Sequence, residues 1–287
     1  GVQTCALPIF SYIIFNLAIS EILGRKLFVD YAKYIIINKI LTVVLGIGLY
    51  YWIGFEGVIL GIALAAFPYM IRIYHGFKET PIDFSLLKTK TGFMITSYLT
   101  NLSEAFSGSI DKIIIAPLLG YVLLGNYQLG LQFLSILHIL PSIVFKFTLP
   151  HDASGNQNVQ LKKLAIISSV IIAVLGVLIS PILIPTFFPK YSEAIQVFQI
   201  VSPSVIPTTI SLMYASKFLG LEKNRINLIG SVLFLAVQTI GIIILGKQYG
   251  TNGAALAFDI STIVHMVFYM IADKFTSDRS KLQNSQV

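Results

Sequence analysis

The chain has 287 residues, of which 55% are hydrophobic and 11% are charged, and its mean hydropathy is +0.81. Soluble domains carry about 25% charged residues, so this composition excludes an ordinary soluble protein. The formal net charge of +7 does not indicate a nucleic-acid partner, because most of the basic residues lie in short loops between apolar runs. The single cysteine, Cys5, excludes a disulfide framework and a thiolate metal site.

The first nine residues, GVQTCALPI, resemble translated sequencing adapter and lack the basic region of a signal peptide. We therefore expect residues 1–9 to be a sequencing artefact. Beyond them, nine apolar runs follow one another, each near the roughly 20 residues that cross about 30 Å of hydrocarbon. They cover residues 10–22, 34–53, 55–74, 93–118, 126–149, 164–187, 195–216, 227–246 and 254–272. Because the membrane core offers no water to the backbone, the predicted fold is an all-α, polytopic membrane helix bundle.

The basic residues predict the orientation of this bundle. Fifteen of the twenty lie in one alternating set of loops and at the C-terminus, and the other set holds only Lys190 and Lys247. The positive-inside rule places the first set in the cytoplasm, so we expect a multi-pass protein of the cytoplasmic membrane with a cytoplasmic C-terminus. The loops of the outer set are too short to hold a catalytic domain.

A shift of 196 residues aligns parts of the chain with each other. Ser20-x-x-Leu23-Gly24 aligns with Ser216-x-x-Leu219-Gly220, and Gly54-x-x-Gly57 aligns with Gly250-x-x-Gly253. This pattern predicts that spans 1–3 repeat spans 7–9, in the manner of two-lobed transporters. The partners of spans 4–6 would then precede residue 10, so about three further spans are expected upstream.

The repeat also predicts the organisation of the chain. Residues 10–76 form the last three helices of an N-terminal lobe, and residues 92–273 form a complete six-helix C-terminal lobe. Residues 77–91 are predicted to be a cytoplasmic linker that holds at most a brief surface helix, and residues 274–287 a cytoplasmic tail.

Polar residues recur at helical spacing within three spans. In spans 4 and 5 they fall within about 120° of one another around each helix. The candidate cavity-lining residues are Ser97, Asn101, Glu104, Ser107 and Asp111 in span 4, Gln128, Gln132, Ser135 and His138 in span 5, and Gln196 and Gln199 in span 7. One interpretation is a hydrated transport pathway, and the other is hydrogen bonding between helices inside a lobe. Glu104 and Asp111 favour the pathway, because two carboxylates on one face need a partner or a proton.

Several segments resemble one transporter family. DKIIIAPLLGYVLLGNYQLGLQF (residues 111–133), ILPSIVFKFTLP (139–150), PTFFPKYSEA (185–194), FLGLEKNR (218–225) and GFEGVILGIALA (54–65) are similar to polysaccharide flippases. This family belongs to the multidrug/oligosaccharidyl-lipid/polysaccharide exporter superfamily. The resemblance covers residues 10–273 and depends on the order of loose motifs.

The resemblance implies a function. A polysaccharide flippase moves an oligosaccharide on a polyprenyl (pyro)phosphate across the membrane by rocking two lobes, without enzymatic chemistry. Its expected partners are that lipid-linked glycan, the bilayer and polysaccharide polymerase or assembly proteins. Lys39, Arg72, Lys146 and Lys217 are candidate contacts for the head group, H⁺ or Na⁺ is a candidate coupling ion, and no resident cofactor or metal is expected.

Three alternatives remain open at this stage. The first is a cation-coupled exporter of drugs or small amphiphiles from the same superfamily, which the many Ser and Gln residues favour less than a flippase. The second is a membrane enzyme such as a glycan polymerase, against which the short outer loops argue. The third is a scaffold that does not transport.

Overall fold

The computed structural model describes residues 2–79, 85–155 and 158–284. The regular elements in these ranges are all helices, and the chain divides into two compact units, Gly1–Lys88 and Thr89–Val287. The division falls inside the predicted linker 77–91, of which residues 80–84 lie outside the described ranges. The rest of this linker is helical, because the helices on both sides extend into it.

Unit 1 is built from four helices: α1 (Val2–Gly24), α2 (Phe28–Ile53), α3 (Phe55–Ala65) and α4 (Tyr69–Glu79). Helix α1 begins within the segment that we expected to be an artefact, of which Gly1 lies outside the described ranges. Helices α3 and α4 together occupy the third predicted span and are separated at residues 66–68, where Pro68 removes a backbone donor and favours a break. Ile14, Ala18, Ala66 and Tyr69 form the small core of this unit.

Seven helices follow: α5 (Ser85–Leu119), α6 (Tyr121–Leu137), α7 (Ile139–Ala153), α8 (Val159–Phe187), α9 (Ala194–Val201), α10 (Val205–Gly220) and α11 (Asn224–Asn284). A 3₁₀ turn, Ser202–Ser204, joins α9 to α10 at the position where the sequence places Pro203. Helix α11 consists of two segments that meet at Gly250. Its second segment includes most of the predicted tail 274–287, of which residues 285–287 lie outside the described ranges.

The helices confirm an all-α membrane bundle. In the described part of the chain, six helical stretches are long and apolar enough to cross a membrane, and a seventh is added if α6 and α7 count as one broken span. The α11 stretch alone contains two of the nine predicted spans. Helix α5, the predicted span 4, is not among the six, since it carries Glu104, Asp111 and Lys112 within its apolar region.

Span 5 was predicted as one continuous helix over residues 126–149, and this was wrong. The structure has two helices that meet at His138 with a bend of 46°. The bend follows from Pro141, which has no N–H to donate to the carbonyl of Leu137. As a result, His138 stands at the junction of α6 and α7, away from a regular helix surface.

Backbone features of the two units agree with the predicted internal repeat at several aligned positions. Helices α1 and α10 end at the aligned residues Gly24 and Gly220, and the next helices begin at Phe28 and Asn224. Positive φ angles also recur at aligned positions, +60° at Lys26 and +57° at Glu222, then +78° at Gly54 and +61° at Gly250. A positive φ is costly for most residues, so its recurrence in the same places indicates one architecture used twice.

Candidate functional site

A cavity of about 210 Å³, lined by both polar and aromatic residues, lies within the second unit. Helix α5, the α6–α7 junction, α10 and both segments of α11 contribute its walls. The residues that line it are Glu104, Ser107, His138, Thr208, Ser211, Ser231, Phe234, Phe258, Thr262 and His265. Three of the predicted cavity residues, Glu104, Ser107 and His138, are therefore brought together.

Helix α5 supplies the only carboxylate among these lining residues. The buried face of α5 follows the spacing Thr100, Ser103, Ser107 and Asp111, and Glu104 lies beside this face with an exposed side chain. The five ion pairs among the described residues do not include Glu104. A carboxylate that forms no ion pair and borders a cavity is a candidate binding group for a proton or a cation.

Four buried polar atoms around the cavity have no hydrogen-bond partner within the described ranges. They are Nε2 of His138, Oγ1 of Thr208, Oγ of Ser211 and Nε2 of His265. Buried polar atoms in proteins are nearly always hydrogen-bonded to protein or to ordered water. A set of unsatisfied atoms around one space therefore favours a cavity that holds water, an ion or a polar ligand.

Aromatic rings form the remaining wall. The rings of Phe234 and Phe258 meet edge to face with their centroids 6.0 Å apart. The imidazole of His265 lies 5.7 Å from the ring of Phe234 and 4.7 Å from the ring of Tyr269. Aromatic faces attract cations, so this wall complements the carboxylate of Glu104.

Asp111 belongs to a different environment, although the sequence places it on the same face as Glu104. It is only 2% exposed, and its Oδ1 accepts a hydrogen bond of 2.7 Å from the backbone N–H of Lys112. The hydroxyl of Tyr127 lies near Asp111, Gln238 and Asp259. Within the described residues, neither this hydroxyl nor Oδ1 of Asp259 has a hydrogen-bond partner. The Asp111 cluster is thus a buried polar group separate from the cavity lining.

The other predicted cavity residues lie outside the lining. Ser97 accepts a hydrogen bond of 2.8 Å from Asn224, and Gln196 accepts one of 2.8 Å from Asn252. Asn101, Gln132 and Ser135 are exposed, and Gln128 and Gln199 are partly buried. For Ser97 and Gln196 these contacts match the interpretation as hydrogen bonding within a lobe; a role in a transport pathway stays a prediction for this group.

Two of the four basic candidates are held by acidic side chains. Nε of Arg72 donates a hydrogen bond of 2.8 Å to Glu21, and its guanidinium lies over the ring of Tyr34. Lys217 forms an ion pair of 2.6 Å with Asp273. Lys39 and Lys146 are exposed. Contact of any of the four with a lipid head group remains a prediction.

Sequence reasoning missed several cavity residues. Thr208 and Ser231 are small hydroxyl residues in apolar spans, and Phe234 and Phe258 are apolar residues in apolar spans. Nothing in the local sequence separates such a ring from one that faces lipid. Comparison of the two repeat copies could have pointed to these positions. They align with Tyr12, Ile35, Asn38 and Ile62 of unit 1 and differ from them in residue type.

No family model and no curated protein sequence matches the chain. Solved structures do match. One, a crystal structure of MATE in the bent conformation, has a TM-score of 0.81 at 13% identity and covers 99% of this chain and 69% of that chain. A mutant of the Vibrio cholerae MATE transporter VcmN has a TM-score of 0.77 at 15% identity and covers 93% and 67%. A MOP superfamily transporter from Pyrococcus furiosus has a TM-score of 0.71 at 13% identity and covers 86% and 62%.

The chain has the fold of MATE transporters. At these identities the likeness concerns the fold alone. It agrees with the superfamily that the sequence motifs resemble, and it does not separate a polysaccharide flippase from an exporter of small molecules. That distinction depends on the cavity.

Proposed function

We propose that the chain acts in the export of small amphiphilic molecules coupled to a cation gradient, and that the cavity of unit 2 binds the cation beside Glu104. The observation that carries this proposal is the carboxylate of Glu104, which forms no ion pair with a described residue and lies in a cavity where four buried polar atoms lack hydrogen-bond partners. Transport, and not enzymatic chemistry, is supported by the shared fold with proteins described as MATE transporters.

The size of the cavity supports a small occupant. Sites for drug-sized molecules have volumes of about 300–1,000 Å³, and water takes up about 30 Å³ per molecule. At about 210 Å³, this cavity suits a hydrated ion, or the charged head of a small amphiphile, better than an oligosaccharide. The coupling ion is H⁺ or Na⁺, since a carboxylate with nearby hydroxyls and imidazoles suits either.

The polysaccharide flippase is the second candidate. The sequence motifs favour it, and the solved structures that match carry no support for it. It requires a site for an anionic carrier, whereas Arg72 and Lys217 are each paired with a carboxylate. Its lipid-linked glycan and its assembly partners therefore remain predictions from the resemblance.

Rescue in cells separates the two functions. The chain is expressed in a bacterial host that lacks its own multidrug exporters, and tolerance to the cationic dye ethidium is measured. We expect increased tolerance that Glu104→Gln removes and that Glu193→Gln, a matched change at an exposed carboxylate outside the cavity, retains. Unchanged tolerance at normal membrane abundance, together with restored surface polysaccharide in a flippase-deficient host, would instead establish the flippase.

A further inference from the structure

Three aligned positions carry large aromatic residues in unit 1 and smaller residues in unit 2. In unit 1, the ring of Tyr69 packs edge to face on Phe15 with centroids 5.1 Å apart, and it lies 5.4 Å from the ring of Tyr34. The Tyr69 hydroxyl donates a hydrogen bond of 2.7 Å to the backbone carbonyl of Tyr34, and Tyr69 is 3% exposed. These three aromatic residues pack together where α1, α2 and α4 meet, with Tyr69 buried and Phe15 and Tyr34 partly buried.

The shift of 196 residues carries this trio onto the cavity of unit 2. Phe15 aligns with Ser211, Tyr34 with Gly230, and Tyr69 with His265. Ser211 and His265 line the cavity, and Gly230 packs directly against the imidazole. Each of these three residues in unit 2 is smaller than its counterpart, so at these three positions unit 2 has less side-chain volume than unit 1.

Gly230 fixes the position of the imidazole. A Cβ at this residue would lie 3.0 Å from Nε2 of His265, closer than ordinary van der Waals contact. Any larger side chain at position 230 would therefore displace His265. A tyrosine at this position, as at Tyr34 of unit 1, would fit only if the imidazole moved.

Two further lining residues differ from their counterparts in polarity. Ser231 and Thr262 align with Ile35 and Ala66, so a hydroxyl stands in unit 2 where unit 1 has an apolar side chain. Thr262 and Ala66 are equally buried, each with 4% of its surface exposed. Among the described residues, unit 2 combines the smaller side chains with polar atoms of Ser211 and His265 that lack hydrogen-bond partners.

We infer that Ser211, Gly230 and His265 are specificity-determining residues that open a binding cavity in one copy of a repeat whose other copy is filled by Phe15, Tyr34 and Tyr69. The opened site accepts a small cation or cationic head group with its water. A role of this cavity in selecting the exported molecule rests on the proposed function. The difference in access between the two repeat copies can be tested without measuring transport.

The test measures access to aligned positions of the two copies. Cys5→Ser removes the only cysteine of the chain, so a single new thiol can be followed in the purified, detergent-solubilised protein. The probe is 2-aminoethyl methanethiosulfonate, a small water-soluble cation. We expect Thr262→Cys to react at least about tenfold faster than Ala66→Cys, since only the first borders an open cavity.

Exchanging the trio should exchange the reactivity. Ser211→Phe with His265→Tyr should slow the reaction of the Thr262→Cys variant at least about tenfold, and Phe15→Ser with Tyr69→His should speed that of the Ala66→Cys variant by a similar factor. Monodisperse elution and a cooperative thermal transition confirm that each exchange variant is folded. If one of the two double variants does not fold, the labelling rates of the other one test the inference. Equal reactivity at both positions, or unchanged rates in folded exchange variants, would overturn the inference. Loss of dye export with the expected labelling would reject the proposed function alone.

Discussion

Glu104 and Asp111 lie seven residues apart on one helix, about 10 Å along its axis, yet their surroundings differ. Glu104 borders a cavity, whereas Asp111 is buried and bonded to the backbone N–H of Lys112. Lys112 itself turns back along the helix, where its ammonium donates to the carbonyl of Gly108. The sequence predicts the shared face, because helical spacing defines it, but it does not tell which neighbour packs on each part of that face.

This difference predicts separate effects of two neutral substitutions. Glu104→Gln should abolish gradient-driven dye export without lowering the amount of folded protein, since its carboxylate forms no ion pair with the described residues. Asp111→Asn should lower the thermal transition temperature, because it disturbs a buried polar cluster. Both are measured on the same preparations, by dye export in vesicles and by thermal unfolding in detergent. Equal loss of stability in the two variants would place Glu104 in a structural role.

Gly57 and Gly253 occupy aligned positions at tight helix contacts. A Cβ at Gly57 would lie 2.1 Å from the carbonyl oxygen of Leu49, and a Cβ at Gly253 would lie 1.9 Å from that of Leu245. Either Gly→Ala change must shift the backbone, at a cost of about 1–3 kcal/mol for overpacking. We expect a clear drop in the thermal transition temperature for both. Gly48→Ala is the control, with no neighbour within 4 Å, and a similar drop there would remove the steric explanation.

At the scale of elements, an ion pair joins three helices at one end of unit 2. Lys162 of α8 lies 2.6 Å from Asp152 of α7, and the hydroxyl of Ser216 of α10 donates to the same carboxylate oxygen. The side chain of Asp152 is 1% exposed. A buried carboxylate of this kind depends on its cation for a tolerable solvation energy.

Removal of that cation should be costly. Lys162→Ala leaves the carboxylate of Asp152 buried without a cation. We therefore expect the free energy of unfolding to fall by about 3–5 kcal/mol. The matched control is Lys90→Ala, which breaks an exposed ion pair with Glu222 whose side chains are 44% and 57% exposed, and such pairs contribute about 0–1 kcal/mol. Thermal unfolding in detergent measures both, and comparable shifts for the two variants would contradict the burial argument.

Helix positions followed from the sequence more closely than helix shapes did. The apolar runs and the Gly-x-x-Gly pairs predict nearly every helix and the turns at Gly54 and Gly250, because chain length in hydrocarbon and positive φ are local constraints. The bend at His138 was missed, although Pro141 provided a local reason for it. The polar stripe of span 5 assumed a straight helix, so its members Gln132 and Ser135 were expected beside His138 in one cavity, and they are exposed instead.

For the whole molecule, the alternation of basic loops predicts which ends of the helices face the cytoplasm. In a background of Cys5→Ser, cysteines introduced at Tyr121 and Lys247 should react with an impermeant thiol reagent added to intact cells. Cysteines introduced at Arg25 and Lys223 should react only after the membrane is opened. All four positions are exposed, so access depends on the side of the membrane. Labelling at Lys223 in intact cells would reverse the predicted orientation.

The central claim is that the cavity of unit 2 couples a cation gradient to export, and reconstituted vesicles test it most directly. Ethidium accumulation is followed by fluorescence while a pH or Na⁺ gradient is imposed and then collapsed. We predict accumulation that requires one of the two gradients, stops when it is collapsed, and falls at least about tenfold in Glu104→Gln but not in Glu193→Gln. Accumulation that is independent of both gradients, or equal in the two variants, would contradict the claim.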